Sequence, residues 1–125
     1  MKEIKLKIEP GNYKSVKLEL SDALELLKII VSLRGGLETK DVIESFRILN
    51  NFDEFYEYQR KKFKDYVTPD KDVSDMIKGS VVVDNMKLVK ENNKKFVIIT
   101  FDRRLKEEFI VKGLNQIGFN VTTEK

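Results

Sequence analysis

Two aspartates in the C-terminal half of the chain follow apolar runs, a placement that could support metal-ion chemistry. Asp84 follows the run VVV, and Asp102 follows the run FVIITF. Carboxylates at the carboxyl ends of neighbouring parallel strands are common Mg²⁺ ligands in α/β nucleases and phosphatases. This placement therefore raises the hypothesis of a magnesium-dependent phosphodiesterase. It would use Asp84 and Asp102 as metal ligands, with Asp72 or Asp75 as a further ligand.

The residues between the two runs favour a different geometry. Residues 85–93 are few for the crossover helix that parallel strands need, whereas Asn92 and Asn93 are typical of a two-residue hairpin turn. In a hairpin, Asp84 would face Phe101 across the strands, and Asp102 would project from the opposite face of the sheet. The two carboxylates would then not meet, and we predict that Asp102 caps the helix that follows.

The composition removes much of the usual chemistry of enzymes. The chain has 125 residues, no histidine and no cysteine. This excludes imidazole-dependent catalytic triads, thiol nucleophiles, disulfides, and the histidine and thiolate ligands of zinc and haem. Catalysis would have to rely on carboxylates, lysines or tyrosines. We therefore predict a protein that is not an enzyme, with no catalytic residues, no cofactor and no metal site.

Half of the chain's twelve aromatic residues fall between residues 52 and 66. On a helix that turns about 100° per residue, all but Tyr58 lie within about 60° of Phe52. The four acidic and four basic residues of 53–66 fall mainly outside this arc, so positive charge does not accompany the aromatic face as a nucleic acid would require. We predict that this face joins the core, or binds a protein partner or a second copy of the chain. The predicted partner-binding residues are Phe52, Phe55, Tyr56, Phe63 and Tyr66.

The densest positive charge lies between residues 87 and 106, where seven basic residues accompany only two acidic ones. A lysine-rich hairpin tip and an Arg-Arg helix start could hold a phosphate backbone or an acidic protein surface. Lysines at strand ends also keep sheets from pairing with other chains, so the same residues have a purely structural interpretation. The predicted nucleic-acid or acidic-partner residues are Lys87, Lys90, Lys94, Lys95, Arg103, Arg104 and Lys106.

The sequence of the N-terminal region, 2–20, predicts a β-hairpin, and a helix is predicted to follow it. Apolar residues alternate along 2–9 and again along 16–20, on either side of the turn sequence Pro10-Gly11-Asn12. Ser21 is a candidate N-cap for a helix over 22–34, which two glycines would end.

The middle region, 21–79, predicts helices throughout. After the helix over 22–34, Thr39 opens a helical segment to about residue 67. Asn50-Asn51 favour a break, so residues 40–66 form either one helix or two. Thr68 and Pro69 are the candidate N-cap and first residue of a short helix that ends at a glycine.

The C-terminal region, 80–123, predicts a ββαβ arrangement. It comprises a hairpin over 81–101, a helix from Asp102 to about Ile117 and a strand with the sequence FNVTT. The whole chain, 1–125, is therefore predicted to be a single α+β domain in the order β-β-α-α-α-β-β-α-β, with a mainly antiparallel sheet packed against helices.

The leading functional prediction is a small non-catalytic interaction protein that binds a macromolecular partner. Its size and its lysine-, isoleucine- and asparagine-rich composition would suit an accessory or inhibitory protein of a virus or plasmid. Nucleic-acid binding through 87–106 is the alternative, and the phosphodiesterase is third. The apolar runs are too short for a membrane span, so we expect a cytoplasmic protein that does not associate with membranes.

Overall fold

The computed structural model describes residues 2–125, which form an α+β domain in the predicted order of strands and helices, with four helices between the two hairpins because the segment over 40–66 divides into two. The strands are β1 (Lys2–Glu9), β2 (Tyr13–Glu19), β3 (Val83–Glu91), β4 (Lys94–Phe101) and β5 (Phe119–Glu124). The helices are α1 (Leu20–Leu33), α2 (Lys40–Asn50), α3 (Phe52–Lys61), α4 (Val73–Lys78) and α5 (Glu107–Gln116).

The five strands form one mixed sheet in the order β3-β4-β2-β1-β5. Neighbouring strands are antiparallel except β1 and β5, which run parallel. Alternate strand residues are buried beneath the helices, as Val97, Ile99 and Phe101 are on β4, while the residues between them lie on the other face and are half-buried. The prediction of a mainly antiparallel sheet packed against helices is confirmed.

The hairpin of β3 and β4 turns at Asn92-Asn93, as predicted. Both asparagines have positive φ angles, 52° and 64°, which the two central residues of a type I′ turn require. The facing pairs are those expected from that turn, with Val89 opposite Phe96 on one row. The prediction for Asp84 was wrong, because a bulge at this residue places Val83 rather than Asp84 opposite Phe101.

The predicted caps of α1 and α4 were wrong. Strand β2 runs to Glu19, so α1 starts at Leu20 with Glu19 before it, and Ser21 lies inside the helix. Thr68 and Pro69 do not start a helix. Helix α4 starts after Asp72, whose Oδ1 accepts the Ser74 N–H at 2.8 Å and that of Asp75 at 3.3 Å.

The predicted helix start at Asp102 was also wrong, because that residue closes a turn before the helix. Asp102 Oδ1 accepts the N–H of Arg104 at 2.9 Å, and its main-chain oxygen accepts the N–H of Leu105 at 3.0 Å. Helix α5 begins five residues later, at Glu107.

The predicted segment over 40–66 forms two helices. Asn51 lies between α2 and α3, and α3 ends at Lys61.

The middle of the chain packs along the outer edge of β3 and satisfies its backbone groups. Val67 exchanges two hydrogen bonds with Met86, at 2.7 and 2.9 Å. The buried side-chain amide of Gln59 imitates a strand in the same way, since it donates to the Leu88 oxygen at 2.9 Å and accepts the Leu88 N–H at 3.0 Å. A sheet edge that would otherwise attract another chain is thereby closed.

Two charged side chains continue this closure at the start of β3. Asp41, which is fully buried, accepts the N–H groups of Val82 and Val83 through Oδ2 at 2.9 and 2.8 Å. Lys71 Nζ donates to the main-chain oxygen of Asp84 at 2.8 Å. The helical middle is therefore fixed to the sheet by side-chain to backbone hydrogen bonds as well as by apolar packing.

Helices α1 and α5 approach each other closely over the centre of the sheet. A Cβ atom on Gly113 would lie 2.6 Å from Leu26 Cδ1, so a side chain at this position in α5 would require Leu26 of α1 to move. Among residues 2–125, no helix combines the length and apolar character that crossing a bilayer requires.

Candidate interaction surface

Within residues 2–125, every large apolar side chain that is well exposed lies between residues 37 and 77. This segment contributes α2, α3, α4 and the connections around them. We call these side chains the apolar surface; they are Leu37, Ile43, Tyr58, Phe63, Tyr66, Val73, Met76 and Ile77. Single exposed apolar residues are common on proteins, but their confinement to one segment is typical of a binding region.

Part of this surface borders a cleft of about 280 Å³ between α2, α3 and the residues after α3. Phe55, Tyr58 and Tyr66 supply its aromatic walls. The guanidinium of Arg47 lies 5.2 Å from the centre of the Phe55 ring and is bound by Glu44 at 2.7 Å. We call this feature the aromatic cleft. Its lining combines these aromatic walls with charged side chains of both signs, Arg47 and Lys64 with Glu44 and Asp70, which suits a partner side chain with an apolar body and a polar end.

Phe63 is the most exposed of these side chains, at 95%. It stands just after the end of α3 with a φ of +51°, a left-handed conformation that glycine adopts at helix ends. The Phe63 N–H donates to the Arg60 oxygen at 3.1 Å, and the Lys64 N–H donates to the Gln59 oxygen at 3.0 Å. These two bonds define a Schellman motif in which phenylalanine takes the place that glycine usually occupies.

Helix α4 presents a second apolar group. Val73 and Ile77 are 69% and 80% exposed. The helix is held to α2 by the Lys40 N–H, which donates to Asp75 Oδ2 at 3.4 Å. Ile43 lies one turn beyond Lys40 on α2 and one turn before Arg47 of the aromatic cleft, so the exposed side of α2 connects α4 with the cleft.

The predicted partner-binding residues do not form one face. Phe52 is 3% exposed and stacks on Tyr56 with ring centres 6.0 Å apart, and Phe55 and Tyr56 are half-buried against the core. Phe63 and Tyr66 lie beyond the end of α3 and are exposed. The single helical face predicted over these residues was wrong, because it assumed a helix to residue 67.

The seven predicted basic residues fall into separate groups. Near the hairpin tip, Lys90 and Lys95 bind the two carboxyl oxygens of Asp53 at 3.0 and 3.1 Å and lie over the rings of Tyr56 and Phe52. Lys94 lies 3.7 Å from a carboxyl oxygen of Glu19. These lysines therefore have acidic partners, and Lys87 stands apart on the exposed side of β3.

The two lysines also change the acidity of Asp53. Their hydrogen bonds lower the pKa of Asp53 below its ordinary value of 3.8. A lowered pKa in the folded state means that the group's contribution to stability is present above the ordinary value and is lost as the pH falls through the lowered one. Because Asp53 is exposed, salt would screen this contribution.

Arg103, Arg104 and Lys106 lie at the other end of β4, which spans about 23 Å at the usual rise per residue. They line a recess of about 580 Å³ together with Lys14 and Lys125. Lys14 is buried, and its ammonium donates to three main-chain oxygens, including those of Arg103 at 3.2 Å and Leu105 at 3.1 Å.

The four candidate metal-binding aspartates have structural partners. Asp72 and Asp102 accept main-chain N–H groups, Asp75 accepts the Lys40 N–H, and Asp84 accepts the side-chain amide of Asn85 at 3.0 Å. Strands β3 and β4 are antiparallel, so the parallel arrangement that the metal site required is not formed. In the part of the chain that the structure describes, no three acidic residues gather where they could hold a metal ion.

Sequence reasoning missed three buried polar residues, Lys14, Asp41 and Gln59. Gln59 had a signal, since on a helical wheel it lies about 20° from Phe52, inside the aromatic arc. Asp41 had one too, because on the same wheel it lies about 20° from Ile48 of α2. A polar residue on the buried side of a helix indicates a hydrogen-bond partner outside that helix.

Comparison with known proteins supplies no family for this chain. No protein-family model, no curated protein and no solved structure matches it. Its function is therefore inferred from the surface of the molecule.

Proposed function

We propose that the chain is a small non-catalytic interaction protein that binds a protein partner through the apolar surface and the aromatic cleft. Phe63 carries this proposal. A left-handed φ costs a non-glycine residue on the order of 1 kcal/mol, and a side chain that is 95% exposed regains almost none of this cost through burial. The backbone strain favours glycine at this position, so a role outside the folded monomer explains the phenylalanine.

The rest of the segment supports the same conclusion. Binding energy at protein interfaces concentrates in a few aromatic and arginine side chains at the centre of an apolar patch. Phe63, Tyr66 and Arg47 are of these types, and Tyr58 and Tyr66 both line the cleft and are exposed. An accessory or inhibitory protein, which acts by occupying a surface of a larger partner, would have use for such a site.

We expect Phe63→Gly to reduce partner binding at least tenfold while leaving the protein folded. The substitution removes the exposed ring and restores the residue that a Schellman motif favours, so lost binding could not be attributed to unfolding. The measurement is an affinity capture from the native host followed by mass spectrometry, with nuclease treatment in parallel and with thermal unfolding of each variant.

Asn93→Gly is the matched control, because it also replaces a residue of positive φ by glycine but lies at the hairpin tip, outside 37–77. It should capture the same proteins as the wild type. Equal capture by Phe63→Gly and wild type, including for a second variant with Ile77→Ser, would contradict the proposal. Capture that disappears after nuclease treatment would also contradict it.

A second candidate function is nucleic-acid binding, and the recess around Arg103 favours it. Five cationic residues and only one acidic residue, Glu107, line this recess. Phosphate groups bind such sites through charge, and affinity then falls steeply with salt. Of the predicted basic residues, this candidate uses Arg103 and Lys106. Arg104 already binds Asp102 Oδ1 at 3.2 Å and the Met76 oxygen at 2.7 Å, and Lys90, Lys94 and Lys95 are paired with Asp53 and Glu19.

For this candidate we expect the double variant Arg103→Ala/Lys106→Ala to weaken a mobility shift at low salt. Losing two phosphate contacts should reduce the steepness of the plot of log affinity against log salt concentration by about 1.4 to 1.8. The double variant Lys94→Ala/Lys95→Ala removes the same charge at the hairpin tip and should change the slope little. If the wild type does not shift single- or double-stranded nucleic acid at low salt, this candidate is wrong.

A further inference from the structure

We infer that the free edge of β5 pairs with β5 of a second copy of the chain and forms a continuous ten-stranded sheet. The two edges of the sheet differ sharply. Backbone groups of β3 are bonded by Gln59, Val67 and Lys71. Within residues 2–125, no hydrogen bond is made to the outward N–H groups of β5. This edge has neither a proline nor a lysine between Phe119 and Glu124, the residues that usually protect an open edge.

The register of β1 and β5 fixes which groups point outward. The Lys2 N–H donates to the Gly118 oxygen at 3.2 Å, and Lys2 lies opposite Phe119. In a parallel pair each bonded residue contacts the two residues that flank its partner, so Asn120 and Thr122 face β1. The N–H and C=O groups of Phe119, Val121 and Thr123 therefore face away from the sheet.

These outward groups allow one symmetric antiparallel pairing that uses all of them. Residues opposite each other in such a pairing must both point outward, which places the two-fold axis at Val121. Val121 then lies opposite its own copy, and Phe119 lies opposite Thr123 of the second copy. Six hydrogen bonds result, two in the Val121 pair and two in each of the two pairs of Phe119 with Thr123.

The facing side chains are compatible with this pairing. Phe119, Val121 and Thr123 would lie opposite apolar or hydroxyl groups, and Asn120 would lie opposite Thr122. Glu124 would lie opposite Gly118, so no like charges meet. Strands β5 and β3 stand at opposite ends of the sheet, about 19 Å apart at the usual spacing, so the dimer would carry one apolar surface at each far end.

Two neighbouring threonines test this inference. We expect the wild type to show a concentration-dependent monomer-dimer equilibrium in sedimentation experiments up to about millimolar protein, because an interface of one strand pair is small. Thr123→Pro removes an outward N–H and should give a monomer with an unchanged unfolding temperature. Thr122→Pro removes an N–H that bonds β1, so it should lower the unfolding temperature instead.

Amide exchange gives a second measurement that needs no variant. In the dimer the N–H groups of Phe119, Val121 and Thr123 should become protected as the protein concentration rises, at least tenfold relative to dilute protein. A wild type that stays monomeric throughout would overturn the inference. So would a dimer that persists unchanged in Thr123→Pro, or exchange at these three amides that does not depend on concentration.

Discussion

Replacing Asp41 by alanine is expected to lower the free energy of unfolding by about 2–4 kcal/mol. The side chain is fully buried, and its Oδ2 accepts the N–H groups of Val82 and Val83. Alanine would leave both donors buried without an acceptor, at a cost of about 1–3 kcal/mol each. The substitution also removes Asp41 Oδ1, a buried oxygen that has no hydrogen-bond partner, and this offsets part of the loss. The total free energy of unfolding of a domain is about 5–15 kcal/mol, so this loss would be a large part of it.

Asp41→Asn is the matched control, measured like Asp41→Ala by urea unfolding. Asparagine keeps the shape and one acceptor oxygen, so the loss should be clearly smaller than for alanine. Lys40→Ala, at the exposed neighbouring position, should change the free energy of unfolding by about 0.5 kcal/mol or less. Equal stabilities for the alanine variant and the wild type would show that Asp41 does not hold α2 to the start of β3.

The strands were predictable because their signals are local. Alternation of apolar and polar residues along β1 and β2 follows from burial of one face of the sheet, β4 is a continuous apolar run, and Asn92-Asn93 determine the turn and its register. The parallel pairing of β1 with β5 was not predictable in this way. It joins the two ends of the chain, and nothing in the residues of either strand distinguishes it from other pairings.

The helix boundaries failed where tertiary contacts override local preference. Thr68-Pro69 has the sequence of a helix start, yet Val67 is held extended by Met86, and the next helix begins only after Asp72. Asp102 likewise has a capping side chain, but it closes a turn. Side chains that cap helices also cap turns, so the residue type alone does not decide between them.

The candidate site was predicted in part. The aromatic residues were identified by type, but their division into buried and exposed sets depends on the end of α3 at Lys61. No glycine or asparagine marks that end, because Phe63 occupies the left-handed position. The basic residues were also identified by type, but their sequence proximity concealed that β4 separates them and that Asp53 neutralises two of them.

Phe52→Ala is expected to lower the free energy of unfolding by about 3–5 kcal/mol, whereas Phe63→Gly should leave it unchanged or raise it by up to about 1 kcal/mol. Phe52 is buried between α3 and the sheet and stacks on Tyr56, so its removal leaves a cavity in a close-packed core. Phe63 loses little burial on removal, and glycine relieves its positive φ. Urea unfolding of both variants measures the difference.

The two phenylalanines therefore separate folding from binding within a stretch whose composition suggested one role. If Phe63→Gly destabilises the protein as much as Phe52→Ala does, then Phe63 contributes to the folded monomer and the apolar surface loses its main support. If Phe63→Gly is at least as stable as the wild type and binds less partner, the chain retains a less stable residue because binding requires it. Proteins commonly give up stability at functional sites in this way, and Phe63 is the residue of this chain where that exchange can be measured.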